Sequence, residues 1–407
     1  MVLRISSNDL RLGMFIQRLG GSWLKHPFLR SSFLLTNPDD IKSILEAGIK
    51  DVWIDEKKGE ALEDSESLAL SIQAIDEAPS ELQNVSQYGN DDKKNIVQTS
   101  MEDDINRARK LFNDAKPQVM AMYKDARLGN AIDPQTTLPL VNEIDLMVQR
   151  NSAAILSVAR LKTHDDYTYM HSLAVCALMI SLARQLDMDE EQVKLAGVGG
   201  LMHDLGKSLM PLEVLNKPGK LSDAEYDIMK KHPAAGAKLL EKSGAAPEVI
   251  DIALHHHEKI NGLGYPNRLL GKEISLFSRM AAICDVYDAV TSERAYKQAW
   301  DPAGTIREMA KWEGHFDKQI FNIFVKMVGI YPVGSLVRLA SQRLAVVIEP
   351  GIDSLIKPKV KAFFSLRSKA PIPMQTIDLA SPSCKEKIEG PEDPAKWNFK
   401  QLDSLWQ

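Results

Sequence analysis

Cysteine is scarce in this chain: Cys176, Cys284 and Cys384 are the only three in 407 residues. An odd, widely spaced trio excludes a disulfide framework. Cys176 and Cys284 fall in apolar helical patterns, where a small buried hydrophobe is the plainer reading. Long hydrophobic runs are missing as well. The longest uncharged apolar stretch, LAVCALMISLA at 173–183, is too short to span a bilayer. The opening MVLRISSNDLRLGMFIQ lacks the apolar core of a secretory signal. No Gly-x-x-x-x-Gly-Lys loop is present to suggest ATP. Excess positive charge is absent too, and a net charge of −5 argues against a general nucleic-acid coat. The expectation is a cytoplasmic protein with no membrane span and no DNA partner.

What remains is ordinary globular material, 44% hydrophobic and 26% charged, in a chain longer than one comfortable domain. Residues 1–55 read as a small α/β regulatory domain. MFIQRL, FLLTN and DVWID are its strands, and NPDDIKSILEAGI is a helix capped by Asn37. Residues 56–100 read as a flexible linker, because Glu60 to Asp92 holds nine acids and no Lys or Arg. Helical periodicity then dominates, with connecting helices over 101–160, a break at Asp133-Pro134, and a catalytic domain over 161–335. SDAEYDIMKKHPAAGAKLLEKS reads as one helical pattern, opened by the capping-box spacing of Ser222 and Glu225. Beyond it, GSLVRLASQRLAVVIEPG alternates like a hairpin, and a polar tail completes 336–407. The fold class is mainly α, with a small α/β unit before the helices and a short β extension after them.

Six of the nine histidines fall between His171 and His257, each on or at the end of a separate helical pattern or in the run His255-His256-His257. A lone histidine on an apolar face is usually a hydrogen-bonded core residue. A set of them, with Asp204 beside His203 and Asp285 on the next helix, can assemble a metal site in a bundle core. Imidazole with carboxylate suits iron, manganese, zinc or similar divalent ions. The adjacent His203-Asp204 can give a terminal imidazole and a bridging carboxylate to two metals. NGLGYP needs a chain reversal that Gly262 and Gly264 permit and Pro266 fixes on exit.

Taken together, HDLGK at 203–207, KKHP at 230–233, HHE at 256–258, GYP at 264–266 and DVYDAVTSERAYK at 285–297 resemble the HD-GYP subgroup of HD-domain phosphohydrolases. The likeness covers roughly residues 165–335, and the N-terminal unit resembles the small domain that precedes many such modules. The resemblance implies an HD-type helical bundle. It implies metal ligation by His171, His203, Asp204, His232, His256, His257 and Asp285, with Asp204 bridging. Lys207 matches the lysine that approaches the scissile phosphate, Arg294 and Lys297 match the pair that holds substrate phosphate, and Tyr265 stands at the binding edge. The chain departs from the pattern at Asn261, where the family usually has Asp, and at Lys259, where it usually has Arg. His255 falls outside the register and is read as a neighbour. His26, His164 and His315 match nothing and are read as surface residues.

By the resemblance, the activity is cyclic di-GMP hydrolysis to pGpG, GMP or both, by attack of a metal-bridging hydroxide. Two divalent ions are expected, iron or manganese first, with magnesium, nickel or zinc as alternatives. A third ion would need a glutamate one turn before His171, where this chain has Tyr167. The resemblance allows diguanylate cyclases of the GGDEF type as partners through the GYP loop, and a homodimer. The competing readings are another cyclic dinucleotide as substrate, or a receptor or scaffold without turnover.

Overall fold

The computed structural model describes residues 2–7, 10, 14–19, 33–35, 38–46, 49, 51–55, 100–130, 132–161, 167–217, 219–292, 299–351, 354–397, 399 and 402–406. The chain divides into two compact units, Met1–Ala74 and Ile75–Gln407. The acidic stretch, the cap assigned to Asn37, and His26 and His164 lie outside the described residues.

In the first unit, strands β1 (Val2–Ser6), β2 (Phe15–Leu19) and β3 (Phe33–Leu34), helix α1 (Pro38–Glu46) and strand β4 (Asp51–Asp55) follow in order. They form an antiparallel sheet ordered β1-β4-β2-β3. Side chains alternate across a strand, so Val52 and Ile54 share one face. They bury there with Ile5, Ile16 and Ile44. The sequence pattern does not reveal β1, an edge strand too short to establish a period.

The second unit starts with α2 (Met101–Arg127), whose N-cap Ser100 accepts from the Asp103 amide at 3.1 Å. Its stripe of Ile105, Ala108, Phe112, Ala115 and Val119 repeats every three or four residues and is buried throughout. Helix α3 (Leu138–Ala159) kinks at Asn151, where φ is −160°. The Asn151 amide donates to Asp104 at 3.0 Å and Arg150 pairs with the same carboxylate at 2.7 Å, which ties the kink to the start of α2. Helix α4 (Tyr167–Gln185) is buried at every position from Met170 to Ala183. A helix apolar all round belongs in the middle of a bundle. Accordingly α4 packs against α2, α3, α5 (Glu190–Met202), α10 (Leu276–Thr291) and α12 (Lys318–Val328). Between α5 and α10 come a 3-10 turn (Leu205–Leu209), α6 (Leu212–Leu215), α7 (Asp223–Met229), α8 (His232–Lys242) and α9 (Pro247–His255), and α11 (Pro302–Ala310) precedes α12. No described helix is long and apolar enough to cross a membrane.

Two expectations need correction. The pattern over 222–243 is not one helix, because α7 ends at Met229 and α8 starts at His232. Pro233 lacks the N–H that a continuous helix would direct at the Met229 carbonyl, so the break falls in front of it. The expected hairpin exists as β5 (Leu336–Leu339) and β6 (Arg343–Glu349), pairing Leu336 with Val346. The residues beyond β6 are not a polar tail. They form three further strands, β7 (Lys359–Ser365), β8 (Ala370–Asp378) and β9 (Ile388–Pro391). These complete an antiparallel sheet ordered β8-β7-β6-β5-β9. The sheet is hidden in the sequence because β7 buries only alternate residues, Val360 and Ala362, and β8 is largely exposed. Asp301, the N-cap of α11, also accepts from the Leu336 amide at 3.2 Å and so ties the sheet to the bundle.

The packing of α2 locates a usable truncation point. Removing residues 1–99 should leave a soluble chain that melts cooperatively. Removing residues 1–137 should give an aggregating one, because each large side chain buried by α2 contributes about 1.5–3 kcal/mol. Solubility and thermal unfolding of the two truncations check this.

Candidate metal centre

Helix ends build this site. His171 lies in the first turns of α4, His203 caps the C-terminus of α5, and Asp204 opens the 3-10 turn. His232 is the first residue of α8, His256 caps α9 with His257 next to it, and Asp285 lies midway along α10. Close packing at one glycine brings two of these ends together. A Cβ on Gly206 would stand 2.0 Å from the His232 carbonyl oxygen and 2.5 Å from the Gly236 nitrogen. Only glycine lets the turn carrying Asp204 lie so close to the start of α8.

The backbone also aims the rings. His203 Nδ1 meets the Gly200 carbonyl at 2.8 Å, His232 Nδ1 meets Met229 at 2.8 Å, and His256 Nδ1 meets Ala253 at 3.0 Å. A carbonyl only accepts, so each Nδ1 carries the proton and each Nε2 presents a lone pair. The Met229 carbonyl is the one that Pro233 leaves unpaired, so the helix break itself orients His232. His171 Nδ1 lies 2.5 Å from the buried carboxylate of Asp288.

The lone pairs converge. Asp204, His232, His256 and His257 offer donor atoms within 4.8 Å of one another, and His171, His203 and Asp285 do the same. The two carboxylates run between these groups. Asp204 Oδ1 lies 3.2 Å from His232 Nε2 and 3.7 Å from His256 Nε2, while its Oδ2 lies 3.5 Å from His171 and 3.4 Å from His203. Asp285 Oδ1 is 3.0 Å from His171 Nε2 and 3.8 Å from His203 Nε2, and its Oδ2 is 3.6 Å from His257 Nδ1.

Such a centre fits cations. His232 Nε2 and His256 Nε2 stand 3.3 Å apart, two acceptors facing each other. His203 Nε2 and Asp204 Oδ1 are buried without a hydrogen-bond partner. Unsatisfied buried acceptors are costly, and a shared positive charge offsets that cost. Most protonation states agree with this, although against burial the Asp204 carboxylate raises His203 above its ordinary value. Burial opposes ionisation of Asp204, but Lys207 and His203 outweigh it and hold the carboxyl well below the usual range. Burial likewise opposes ionisation of Asp285, and its contact with His171 leads the influences that hold the carboxyl well below the usual range. Burial lowers His256 to about 4, and burial with the neighbouring His256 holds His257 well below its ordinary value. The cluster is therefore able to bind metal.

Lys207 is 24% exposed and rests its ammonium on the buried Asp204 Oδ2. The Tyr265 ring packs on His257 at 4.8 Å between centroids. Gly262 has φ +73°, and the bond before Pro266 is cis. Arg294 and Lys297 lie outside the described residues. His255 turns away from the cluster and meets Asp251 at 2.7 Å. His315 is half-buried rather than fully at the surface. It stacks on both Trp312 and Phe316, and its carbonyl accepts from the Ile260 amide at 3.2 Å. Burial, with Lys259 nearby, lowers its pKa to about 4.

Residues 142–320 match the HD domain family, and residues 2–137 match a domain of unknown function (DUF3391). The chain is 49% identical over 408 residues to the cyclic di-GMP phosphodiesterase PA4108 of Pseudomonas aeruginosa, covering 100% of this chain and 96% of that protein. This chain belongs to the HD-GYP family of HD-domain proteins. Within that family it is 35% identical over 170 residues to the cyclic di-GMP phosphodiesterase response regulator RpfG of Xanthomonas campestris, 41% of this chain and 44% of that one. It is 34% identical over 178 residues to the 3'3'-cGAMP-specific phosphodiesterase 1 of Vibrio cholerae, 43% of this chain and 41% of that one.

Two residues of this HD-GYP chain escape a reading of the sequence. Asp288, which orients His171, stands three residues after Asp285 and so on the same face of α10, a spacing that could have exposed it. Glu258 is 2% exposed and accepts the backbone amides of Asn267 at 2.6 Å, Arg268 at 3.0 Å and Leu269 at 3.2 Å. It anchors the GYP loop, and a Cβ on Gly264 would fall 2.4 Å from Glu258 Cα.

The close approach at Gly206 is testable. Gly206→Ala should cost about 1–3 kcal/mol of stability, as overpacking does. Gly390→Ala, where a Cβ meets nothing within 4 Å, should stay within about 0.5 kcal/mol of the parent. Denaturant titration of both variants decides, and equal stability would mean that the turn tolerates a side chain there.

Proposed function

We propose that this HD-GYP protein is a metal-dependent phosphodiesterase that hydrolyses cyclic di-GMP to pGpG, GMP or both in the cytoplasm. The observation carrying the reading is Asp204, whose two oxygens face different histidine sets. Its support on substrate is the 49% identity, over the whole chain, to a cyclic di-GMP phosphodiesterase.

In this reading His171, His203 and Asp285 hold one divalent cation, His232, His256 and His257 hold a second, and Asp204 belongs to both. Iron or manganese suits the mixed imidazole and carboxylate donors best, with magnesium, nickel or zinc as alternatives. The cations supply Lewis acidity toward the phosphodiester and make hydroxide available at neutral pH. The chain's residues do the rest. Lys207 offsets charge that builds on the phosphoryl oxygens, since its ammonium stands beside Asp204 at the partly exposed edge of the cluster. Arg294 and Lys297 hold a substrate phosphate, an assignment that rests on their motif position. Tyr265, packed on His257, forms the edge against which the dinucleotide lies. The GYP loop exposes Leu263 and Leu270, at 76% and 58%, an apolar surface suited to a diguanylate cyclase of the GGDEF type or to a second copy of the chain.

A second reading keeps the reaction and changes the substrate to 3'3'-cGAMP. It is favoured by the 34% identity to a phosphodiesterase specific for that dinucleotide. Purified protein loaded with Mn²⁺ or Fe²⁺, incubated separately with cyclic di-GMP and 3'3'-cGAMP and resolved for linear products, separates the two. Binding of cyclic di-GMP without any product would instead favour a receptor.

Two variants test the division of roles. Asp204→Ala should lose both turnover and bound metal, whereas Lys207→Ala should keep its metal and lose about 10²–10³-fold in kcat. Metal analysis beside the rate assay reads both. Full metal occupancy with parental turnover in Asp204→Ala would sink the assignment, and metal loss in Lys207→Ala would refute the role given to the lysine.

A further inference from the structure

The run His255-His256-His257-Glu258 faces two ways. The inner pair points into the metal centre. The outer pair points at the return limb of the GYP loop, residues 267–269. Glu258 takes the amides of all three of these residues. His255 takes the side chain of the first, with Asn267 Nδ2 lying 3.1 Å from His255 Nε2.

The His255 ring is itself held from behind. Its Nδ1 donates to Asp251 Oδ1 at 2.7 Å, one helical turn earlier on α9. The other Asp251 oxygen accepts from Ser278 Oγ at 2.7 Å and from Ser275 Oγ. Ser275 is the N-cap of α10, the helix that carries Asp285. With Nδ1 protonated, Nε2 is an acceptor, which is what the Asn267 amide requires. A continuous chain of hydrogen bonds therefore runs from the start of α10 through Asp251 and His255 to the loop. His255 is 12% exposed, while Asn267, on the far side of the bond, lies at the surface.

We propose that His255 is a positioning residue for the GYP loop. It fixes the return limb relative to the ligands His256 and His257, and so keeps Tyr265 against His257 where the dinucleotide is to bind. The proposal deepens the phosphodiesterase reading and rests on it for the effect on substrate. It assigns His255, which lies outside the family register, a role in KM rather than in metal binding.

The experiment uses the full-length Mn²⁺-loaded protein and the variants His255→Phe, His255→Gln, Asn267→Ala and the double variant His255→Phe/Asn267→Ala. Hydrogen exchange of residues 261–270 is measured without substrate, and KM and kcat are measured with cyclic di-GMP. His255→Phe should accelerate exchange in the loop and raise KM about three- to tenfold, within the range of one lost hydrogen bond. Manganese content and kcat should stay within about twofold. Asn267→Ala should match it, and the double variant should be no worse than either single one, because both remove the same bond. His255→Gln, which keeps a donor and an acceptor, should restore most of the loss.

Unchanged loop exchange in His255→Phe would overturn the proposal, as would loss of manganese, additive effects in the double variant, or no recovery with Gln. If the parent protein turns over no cyclic di-GMP, the functional reading fails. Loop exchange then still decides the anchoring role on its own.

Discussion

The Asp204 carboxylate is the constraint around which the second unit is organised. One oxygen faces His232 and His256 and the other faces His171 and His203, so four separate segments must deliver their side chains to within a few ångströms of one group. Neither hydrophobic burial nor helix packing alone sets that tolerance. The bundle provides rigidity, with α4 buried on all sides, and helix termini provide aim. Because a terminal carbonyl has no partner within its helix, it can take a ring N–H and hold the opposite nitrogen inwards.

That device recurs with variations dictated by local sequence. His203, His232 and His256 all lean on carbonyls of the preceding turn, whereas His171, near the start of its helix, takes the Asp288 carboxylate instead. An acceptor carrying charge makes the imidazole a stronger donor to whatever it binds than a carbonyl does. The two histidine sets are therefore chemically unequal, although both consist of imidazole and carboxylate.

Much of this is legible in the sequence because titratable side chains stand out against an apolar helical pattern. His203-Asp204 inside GLMHDLGK and Asp285 inside AAICDVYDAV are examples, and the structure places both in the cluster. Helices α3, α4, α5, α9 and α10 are legible for the same reason, through periodicity. Residues whose work is done through the backbone are not. Glu258 stands in the HHE motif with no role of its own until its three amide partners are seen. The identity of the ring nitrogen facing inwards depends on carbonyls that have no signature in side-chain order. Pro233 stands in plain view, yet its effect on α7 and α8 is outweighed by an apolar period continuing through it. The strands after β6 escape notice because a sheet with one wet face has the composition of a tail.

The protonation pattern of the cluster has a consequence for the order in which a catalytic complex assembles. Asp204 and Asp285 are held towards the ionised form, burial holds His256 and His257 towards the neutral one, and against burial the Asp204 carboxylate raises His203 towards the charged one. The two carboxylates of the floor repel an incoming phosphodiester of the same sign. Under the proposed reading, cations seated in the cluster would offset that repulsion, so filling of the metal centre would favour capture of the anionic dinucleotide.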